Sequence, residues 1–413
     1  MENDKLQICV IESANGGGLI HFAYQLCTAL ANEGADVTLI VGTEYELDSL
    51  PHNFKVLKML RLWKSFESRS EEDLSNRFRL IQKKVYWMAR RVVRGVRFIA
   101  TWVNLVRYLV RTRPHLIQFS RFDHAVEAFF ITYLKARGFT LSQVCHEFEA
   151  RENGHVLQNL LASLYMRAYR SFSAIFLLAH ESRGRFLSLF PSLDPAITHV
   201  VPHGNSDWML GIQSPPEKVQ LRNRYGLRED DKVVLFFGLL APSKGLDDLV
   251  EAFALALSSC DAKLVIAGYP TKQLNLLRIH ERIAELGLGD RIILDLRYIP
   301  VDEVGSLMDL ATVVVYPYLS STQSGSLQVA YTFSKPVIVT EVGGLPEVVE
   351  DGKSGFLVPS HSPSLLAEKI VTLVNDPERA RTMGQYARQL ASTRFAWDTV
   401  AKQMMDVYRE LET

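Results

Sequence analysis

Sulfur is scarce in this chain: 413 residues carry four cysteines, Cys9, Cys27, Cys145 and Cys260. They lie far apart in apolar segments, and no Cys-x-x-Cys pair occurs. That argues against a thiolate metal cage or a redox dithiol and for buried thiols in a reducing cytosol. Long apolar runs are also missing. No uncharged stretch approaches the ~18 residues of a membrane-spanning helix. The N-terminal MENDKLQ leads into a short apolar run without a secretory-signal pattern. Forty-six basic residues balance 46 acidic ones, so the molecule as a whole has no polyanion-binding charge. There is no Gly-x-Ser-x-Gly elbow, no His-Glu-x-x-His and no Walker A sequence, which argues against hydrolases, zinc proteases and P-loop enzymes. Nothing resembles a nucleic-acid-binding module, and no nucleic-acid partner is expected.

What is present is an alternation of apolar runs and amphipathic stretches. Leu6 to Ile11 reads as a buried strand, followed by the Gly16-Gly17-Gly18 turn and a helix to about Asn32. Val37 to Val41 is the next strand, and similar runs recur at His115–Phe119, Ser142–Cys145, Ala174–Leu178 and His199–Val201. The polar stretch Ser206 to Glu229, with Pro215-Pro216, breaks the rhythm and is read as the linker. A second α/β series follows from Val233 to about Leu390, then a terminal helix from Trp397 to Leu411. With 47% apolar and 22% charged residues, a chain of this length is expected to form two globular domains.

The most informative stretch is Tyr316 to Val358. A small-residue turn, Ser320 to Gly325, follows the apolar run Val313–Tyr316 and precedes a helical segment. Such a turn leaves backbone N–H groups bare and aimed at one point, which suits a phosphate or diphosphate; it is equally an ordinary turn-former loop. Lys244 stands after another strand and loop at a probable helix start, as a phosphate-binding cation or a surface lysine. Arg297 lies past the run Ile292–Leu294, where it can reach a diphosphate or pair with Asp295 or Glu303. Gly16-Gly17-Gly18 departs from a dinucleotide fingerprint because His21 takes the place of the last glycine; it reads either as a tight turn or as one turning a helix N-terminus towards a ligand. His146 follows the run ending at Cys145, at a strand end where ligands collect, and can face a cleft or tie a loop.

These segments resemble the donor-binding core of the GT-B glycosyltransferases. The retaining group 1 family, also called family 4, is nearest, in particular members carrying a Thr-Gln-Ser-Gly turn, here Thr322 to Gly325. Phe236 to Gly245, Leu264 to Gly268 and Asp295 to Pro300 agree with it, and the match is strongest from Lys232 to Trp397. The resemblance implies an α/β GT-B architecture of two Rossmann-like parallel-sheet domains facing an interdomain cleft. Residues 1–205 would be the acceptor-side domain, completed by a C-terminal helix, 391–413, crossing back to it, and 206–390 the nucleotide-sugar domain. It implies a glycosyltransferase, with Lys244, Arg297 and the backbone of Gln323, Ser324, Gly325 and Ser326 stabilising the leaving diphosphate. It also implies His146 on the donor sugar, and Gly17 and Gly18 near donor phosphates and acceptor. No cofactor is implied. No Asp-x-Asp pair occurs to hold a divalent ion with the diphosphate, so a metal-free mechanism is expected. Ser321 and Val329 occupy the places of the family's Glu-x7-Glu pair, and Leu239 and Ala241 stand where an arginine is common. Those departures keep two alternatives in play, a sugar-nucleotide epimerase of the same fold and a non-catalytic partner subunit.

One segment departs from charge balance. Leu74 to Arg113 holds eleven Lys/Arg and no acid. A stripe of Ile81, Val85, Met88, Val92, Val96, Ile99, Val103, Val106 and Val110 at helical spacing is read as core. Arg79, Lys83, Lys84, Arg90, Arg91, Arg94 and Arg97, with Trp87, Phe98 and Trp102 among them, are read as the opposite face, with Gly95 a possible break. That face is either solvated or covered by acidic loops, or it meets an anionic membrane through 77–113, which would place a cytoplasmic protein on the inner face of the cytoplasmic membrane beside a glycan or lipid-linked acceptor.

Overall fold

The computed structural model describes residues 5–61, 77–122, 126–148, 158–212 and 215–412, without the side chains of 77–90, 158–162 and 215–218. Contacts divide the chain into two compact units: Met1–Leu177 with Phe186–Val201 and Ala401–Thr413, and Leu178–Arg185 with Pro202–Val400.

The first unit is built on seven parallel strands, β1 Gln7–Ile11, β2 Asp36–Gly42, β3 Lys55–Leu60, β4 Leu116–Phe119, β5 Thr140–Cys145, β6 Ala174–Leu177 and β7 Thr198–Val200. Their order is β3-β2-β1-β4-β5-β6-β7, so the chain winds one way from β1 and the other way from β4. The central strands are buried almost throughout, as in a parallel sheet covered on both faces. The C-terminal helix Trp397–Glu410 brings its last turns into this unit. Tyr408 is fully buried there, edge-on to Phe176, and its hydroxyl donates to Gln118 Oε1 at 2.6 Å. The same oxygen accepts from Ser142 Oγ at 2.5 Å, so one amide ties β4, β5 and the terminal helix. Tyr408→Phe should cost about 1 kcal/mol in urea unfolding, the worth of one buried hydrogen bond. An unchanged midpoint would show that the bond contributes nothing.

The second unit carries six parallel strands, β8 Val233–Phe237, β9 Lys263–Ala267, β10 Ile292–Asp295, β11 Val313–Tyr316, β12 Val337–Thr340 and β13 Gly355–Val358, in the order β10-β9-β8-β11-β12-β13. Here the winding reverses between β8 and β11.

Three local expectations change. The stretch read as a linker is structured: a short 3-10 turn, Asp207–Gly211, precedes a helix, Pro215–Arg224. Pro215-Pro216 starts that helix instead of breaking the chain, because the first helical position needs no N–H. The helix Arg77–Thr112 runs unbroken through Gly95. Its buried side is also not the valine stripe. Phe98, Trp102, Leu105 and Leu109 pack on the sheet, while Val92, Val96 and Ile99 are 49–63% exposed. The larger aromatic surfaces decide which side is buried, and Trp102 stacks on Phe119 and Phe130. The side chains of Arg79, Ile81, Lys83, Lys84, Val85, Trp87, Met88 and Arg90 lie outside the described residues.

Candidate functional site

In an open parallel sheet the loops leaving the carboxyl ends diverge where the winding reverses, and a ligand fits between them. In the second unit those loops follow β8 and β11, and they carry the two strongest sequence signals. Glycines let them close up. Gly245 has φ +66°, and a Cβ there would stand 1.9 Å from the Pro317 carbonyl oxygen. The Leu319 N–H donates to the Ser243 carbonyl at 2.8 Å, stitching the loops together. Gly238, φ +138°, faces Ser326, whose Oγ would be 2.8 Å from an added Cβ. Lys244 ends the short turn Pro242–Lys244 with its Nζ 3.7 Å from the centre of the Tyr318 ring. The Tyr318 hydroxyl lies 3.4 Å from Ser324 Oγ. An ammonium held over an aromatic face stays partly desolvated and presents its charge at one place.

The turn itself is held from below. Ser324 caps the helix Gly325–Thr332, its Oγ accepting the Leu327 N–H at 3.2 Å. Ser321 Oγ donates to the Gln323 carbonyl at 2.7 Å, and Tyr316 OH to the Ser326 carbonyl at 2.6 Å. Gly343, φ +53°, comes so close that a Cβ would meet the Ser321 carbonyl oxygen at 1.5 Å. Gln323 Oε1 is buried with no hydrogen-bond partner among the described residues. Val329 packs into the core of the unit, 6% exposed.

His203 joins this group from the segment between β7 and the turn Asp207–Gly211. Its Nδ1 lies 2.8 Å from the Gly204 carbonyl and must donate to it, which leaves Nε2 as the lone-pair nitrogen of the neutral ring. An added Cβ on Gly325 would stand 3.1 Å from that Nε2. Burial pushes the imidazole down to about 4, against a smaller opposite pull from the Gly204 carbonyl. Its folded value is thus below that of the unfolded chain, so acid favours unfolding. Wild type should lose stability relative to His203→Gln as pH falls from about 6.5 towards 4, by at most roughly 3 kcal/mol. Parallel pH–stability curves for the two proteins would refute this.

Arg297 stands apart. It follows β10, two strands from β8 and so roughly 10 Å away at ordinary strand spacing. Its guanidinium donates to both oxygens of Asp295 at 2.9 and 3.0 Å and to both of Glu303, which also pairs with Arg224 at 2.8 Å. Of the two readings open in the sequence, carboxylate pairing is the one realised, because both acids lie within six residues. The Glu303 and Asp295 carboxylates hold the arginine firmly protonated.

Residues at the carboxyl edge of the first unit have different surroundings. His146 follows β5, 6% exposed, edge-on to Phe22 with ring centres 4.6 Å apart. Gly17, φ +81°, precedes the helix Gly18–Asn32, and its N–H donates to Glu46 Oε2 at 2.8 Å. The same oxygen lies 3.1 Å from His21 Nε2. A carboxylate thus already sits on this helix N-terminus, where it neutralises the end charge and repels a phosphate. Glu46 is 29 residues away, and no local pattern announces it. Gly18 is exposed.

Residues 217–390 match the family described as glycosyl transferases group 1. An α-D-kanosaminyltransferase of Streptomyces kanamyceticus is 26% identical over 245 residues, 59% of this chain and 62% of its own length. A D-inositol 3-phosphate glycosyltransferase of Acidothermus cellulolyticus is 33% identical over 52% of this chain and 49% of its own. The matches therefore span less than two thirds of these relatives. Among solved structures, Anabaena HepE in complex with UDP superposes with a TM-score of 0.70 at 18% identity, covering 98% of this chain and all of that one. The catalytic domain of Arabidopsis thaliana starch synthase IV, bound to ADP and acarbose, gives 0.72 at 14% identity, covering 99% and 100%. At such identities the likeness is one of fold: two Rossmann-like parallel-sheet units of the GT-B class.

Proposed function

We propose, from the match of residues 217–390 to the group 1 glycosyl transferases, that the chain transfers a sugar from a nucleoside diphosphate to an acceptor hydroxyl, with retention and without a metal ion. The observation that carries this reading is the convergence of Lys244 and the Gln323–Ser326 turn at the β8/β11 reversal. The bond from the sugar's anomeric carbon to the diphosphate oxygen breaks, and the acceptor oxygen forms the new bond. The acceptor's proton leaves with the diphosphate. Charge growing on that leaving group is met by the Lys244 ammonium and by backbone N–H groups of Gly325 and Ser326 at a helix N-terminus. Arg297, already neutralised, contributes at most at a distance. His146, Gly17 and Gly18, at the carboxyl edge of the first sheet, belong to the acceptor-side unit. Ser321 and Val329 favour one second reading, a non-catalytic subunit, since neither can hold a sugar as a carboxylate does.

A thermal-shift screen of UDP, GDP, ADP and their sugars tests the proposal. One nucleotide should raise stability by about 2.7 kcal/mol at a hundredfold excess over its Kd. No shift with any of them overturns the reading, and binding without transfer favours the second.

The helix Arg77–Thr112 suggests where the acceptor is met. Val92, Val96 and Ile99 are exposed beside Arg91, Arg94 and Arg97, a combination suited to an anionic membrane surface on the cytoplasmic side. No helix among the described residues is long and apolar enough to cross a membrane. Flotation should show binding to anionic vesicles that falls with salt and falls again in the Arg94→Glu, Arg97→Glu double mutant. Equal binding by both proteins removes the membrane.

A further inference from the structure

The second unit also takes in Leu178–Arg185, the segment in which the helix His180–Leu189 starts. The first turn of that helix is held by a carboxylate from elsewhere in the unit. Glu347 Oε2 accepts the His180 N–H and Glu347 Oε1 the Glu181 N–H, both at 2.8 Å. A helix start has no partners of its own for those groups, and a carboxylate there also meets the positive end of the helix dipole. The same turn lies against Gly344: a Cβ on Gly344 would stand 2.6 Å from the Ala179 Cβ and 2.6 Å from the Thr322 carbonyl oxygen. Ser182, 2% exposed, completes the contact, its Oγ donating to that Thr322 carbonyl at 3.0 Å.

That carbonyl leads into the Gln323–Ser326 turn. In a trans peptide the C=O and the next N–H point in opposite directions, so a bond that fixes one fixes the other. Ser182 thereby sets the direction of the Gln323 N–H. Ser321, through the Gln323 carbonyl, sets that of the Ser324 N–H. Two successive N–H groups ahead of the helix Gly325–Thr332 are thus aimed by hydrogen bonds to the carbonyls behind them. Ser321 acts from within the turn, and Ser182 from a segment 140 residues away.

We propose that Ser182 is a positioning residue for diphosphate binding: it does not touch the ligand, but holds the Thr322–Gln323 peptide in the orientation that presents the Gln323 N–H to a phosphate oxygen. Glu347 keeps the helix start, and with it Ser182, in place. Its part in binding rests on the transferase reading, in which the Gln323–Ser326 turn is the diphosphate site. Without the Ser182 hydroxyl the peptide is free to rotate, and affinity falls with the fraction of molecules whose turn is misoriented.

Calorimetry with inorganic pyrophosphate on the full chain tests it, alongside urea unfolding of the same proteins. Ser182→Ala should bind pyrophosphate about fivefold more weakly, the reach of one hydrogen bond, while Ser182→Thr, which keeps the hydroxyl, binds like wild type. A serine that only stabilised the fold would lower the unfolding midpoint and leave the affinity of the folded protein unchanged. A double-mutant cycle fixes the route. Gly325→Val blocks the turn, so Ser182→Ala added to it should weaken binding no further, whereas added to Lys244→Ala it should cost as much as in wild type. Wild-type affinity in Ser182→Ala, or the full loss on top of Gly325→Val, overturns the proposal. Pyrophosphate that wild type does not bind, or that Gly325→Val binds equally well, strikes the turn as the diphosphate site and this inference with it. A Gly325→Val loss without a Ser182→Ala loss strikes only the part given to Ser182. Should Gly325→Val unfold, equal affinity of Ser182→Ala and wild type overturns the proposal alone.

Discussion

Gly325→Val should abolish sugar transfer while leaving the melting temperature within a few degrees of wild type. Gly325 opens the helix Gly325–Thr332, and its backbone angles are open to any residue, so valine costs the helix only a small propensity difference. Nearby, an added Cβ meets His203 Nε2 at 3.1 Å, so the imidazole has to shift by a few tenths of an ångström. The loss of activity has another origin. A branched side chain at the first helical position stands in front of the N–H groups that would cradle the diphosphate, and keeps the oxygens beyond hydrogen-bond reach. Gly325→Ala should fall between the two. Gly343→Ala is the contrasting case: at φ +53°, with a Cβ 1.5 Å from the Ser321 carbonyl oxygen, it cannot be accommodated in place and should destabilise the protein. Thermal unfolding of Gly325→Val would make that glycine structural and remove the main support for the turn as a binding element.

The parts of this site that were legible in the sequence are those where one loop holds both the backbone device and its residue type. Lys244 follows an apolar run and precedes a glycine, and Gln323 to Ser326 follow another, so local pattern raised both loops as candidates, and the family resemblance chose between the readings it left open. Local pattern could not raise contacts distant in sequence. Glu46 seats itself on the Gly17 turn from across 29 residues, and His203 reaches Gly325 from across 122. In the fold, β3 was not anticipated because Lys55 and Lys58 interrupt its apolar residues, as suits an edge strand but weakens the signal of a buried one. The helix Arg77–Thr112 shows the opposite error. Its valines are spaced perfectly for a core stripe, yet side-chain size overrides spacing, and Phe98, Trp102, Leu105 and Leu109 take the sheet. The binary pattern gave the right element with the wrong rotation about its axis.

Lys244→Ala should weaken nucleoside diphosphate binding by about 1.5–3 kcal/mol, roughly ten- to 150-fold, the range for hydrogen bonds to a charged group. The ammonium lies 3.7 Å from the Tyr318 ring centre, at the end of the loop that Gly245 presses against Pro317. Losing the cation–π contact costs stability about 0.5–1 kcal/mol, too little to account for a tenfold affinity loss through unfolding. The two effects separate experimentally. Calorimetry with UDP and GDP reads the first, urea unfolding of the free protein the second. The lost affinity should also be the salt-sensitive part, because a half-buried ammonium facing a diphosphate is screened by added ions whereas base and ribose contacts are not. Wild type and mutant affinities should therefore converge as salt rises. Unchanged UDP and GDP affinity in Lys244→Ala, or a loss that persists undiminished at high salt, would take the phosphate away from this lysine and leave it as a side chain that packs on Tyr318.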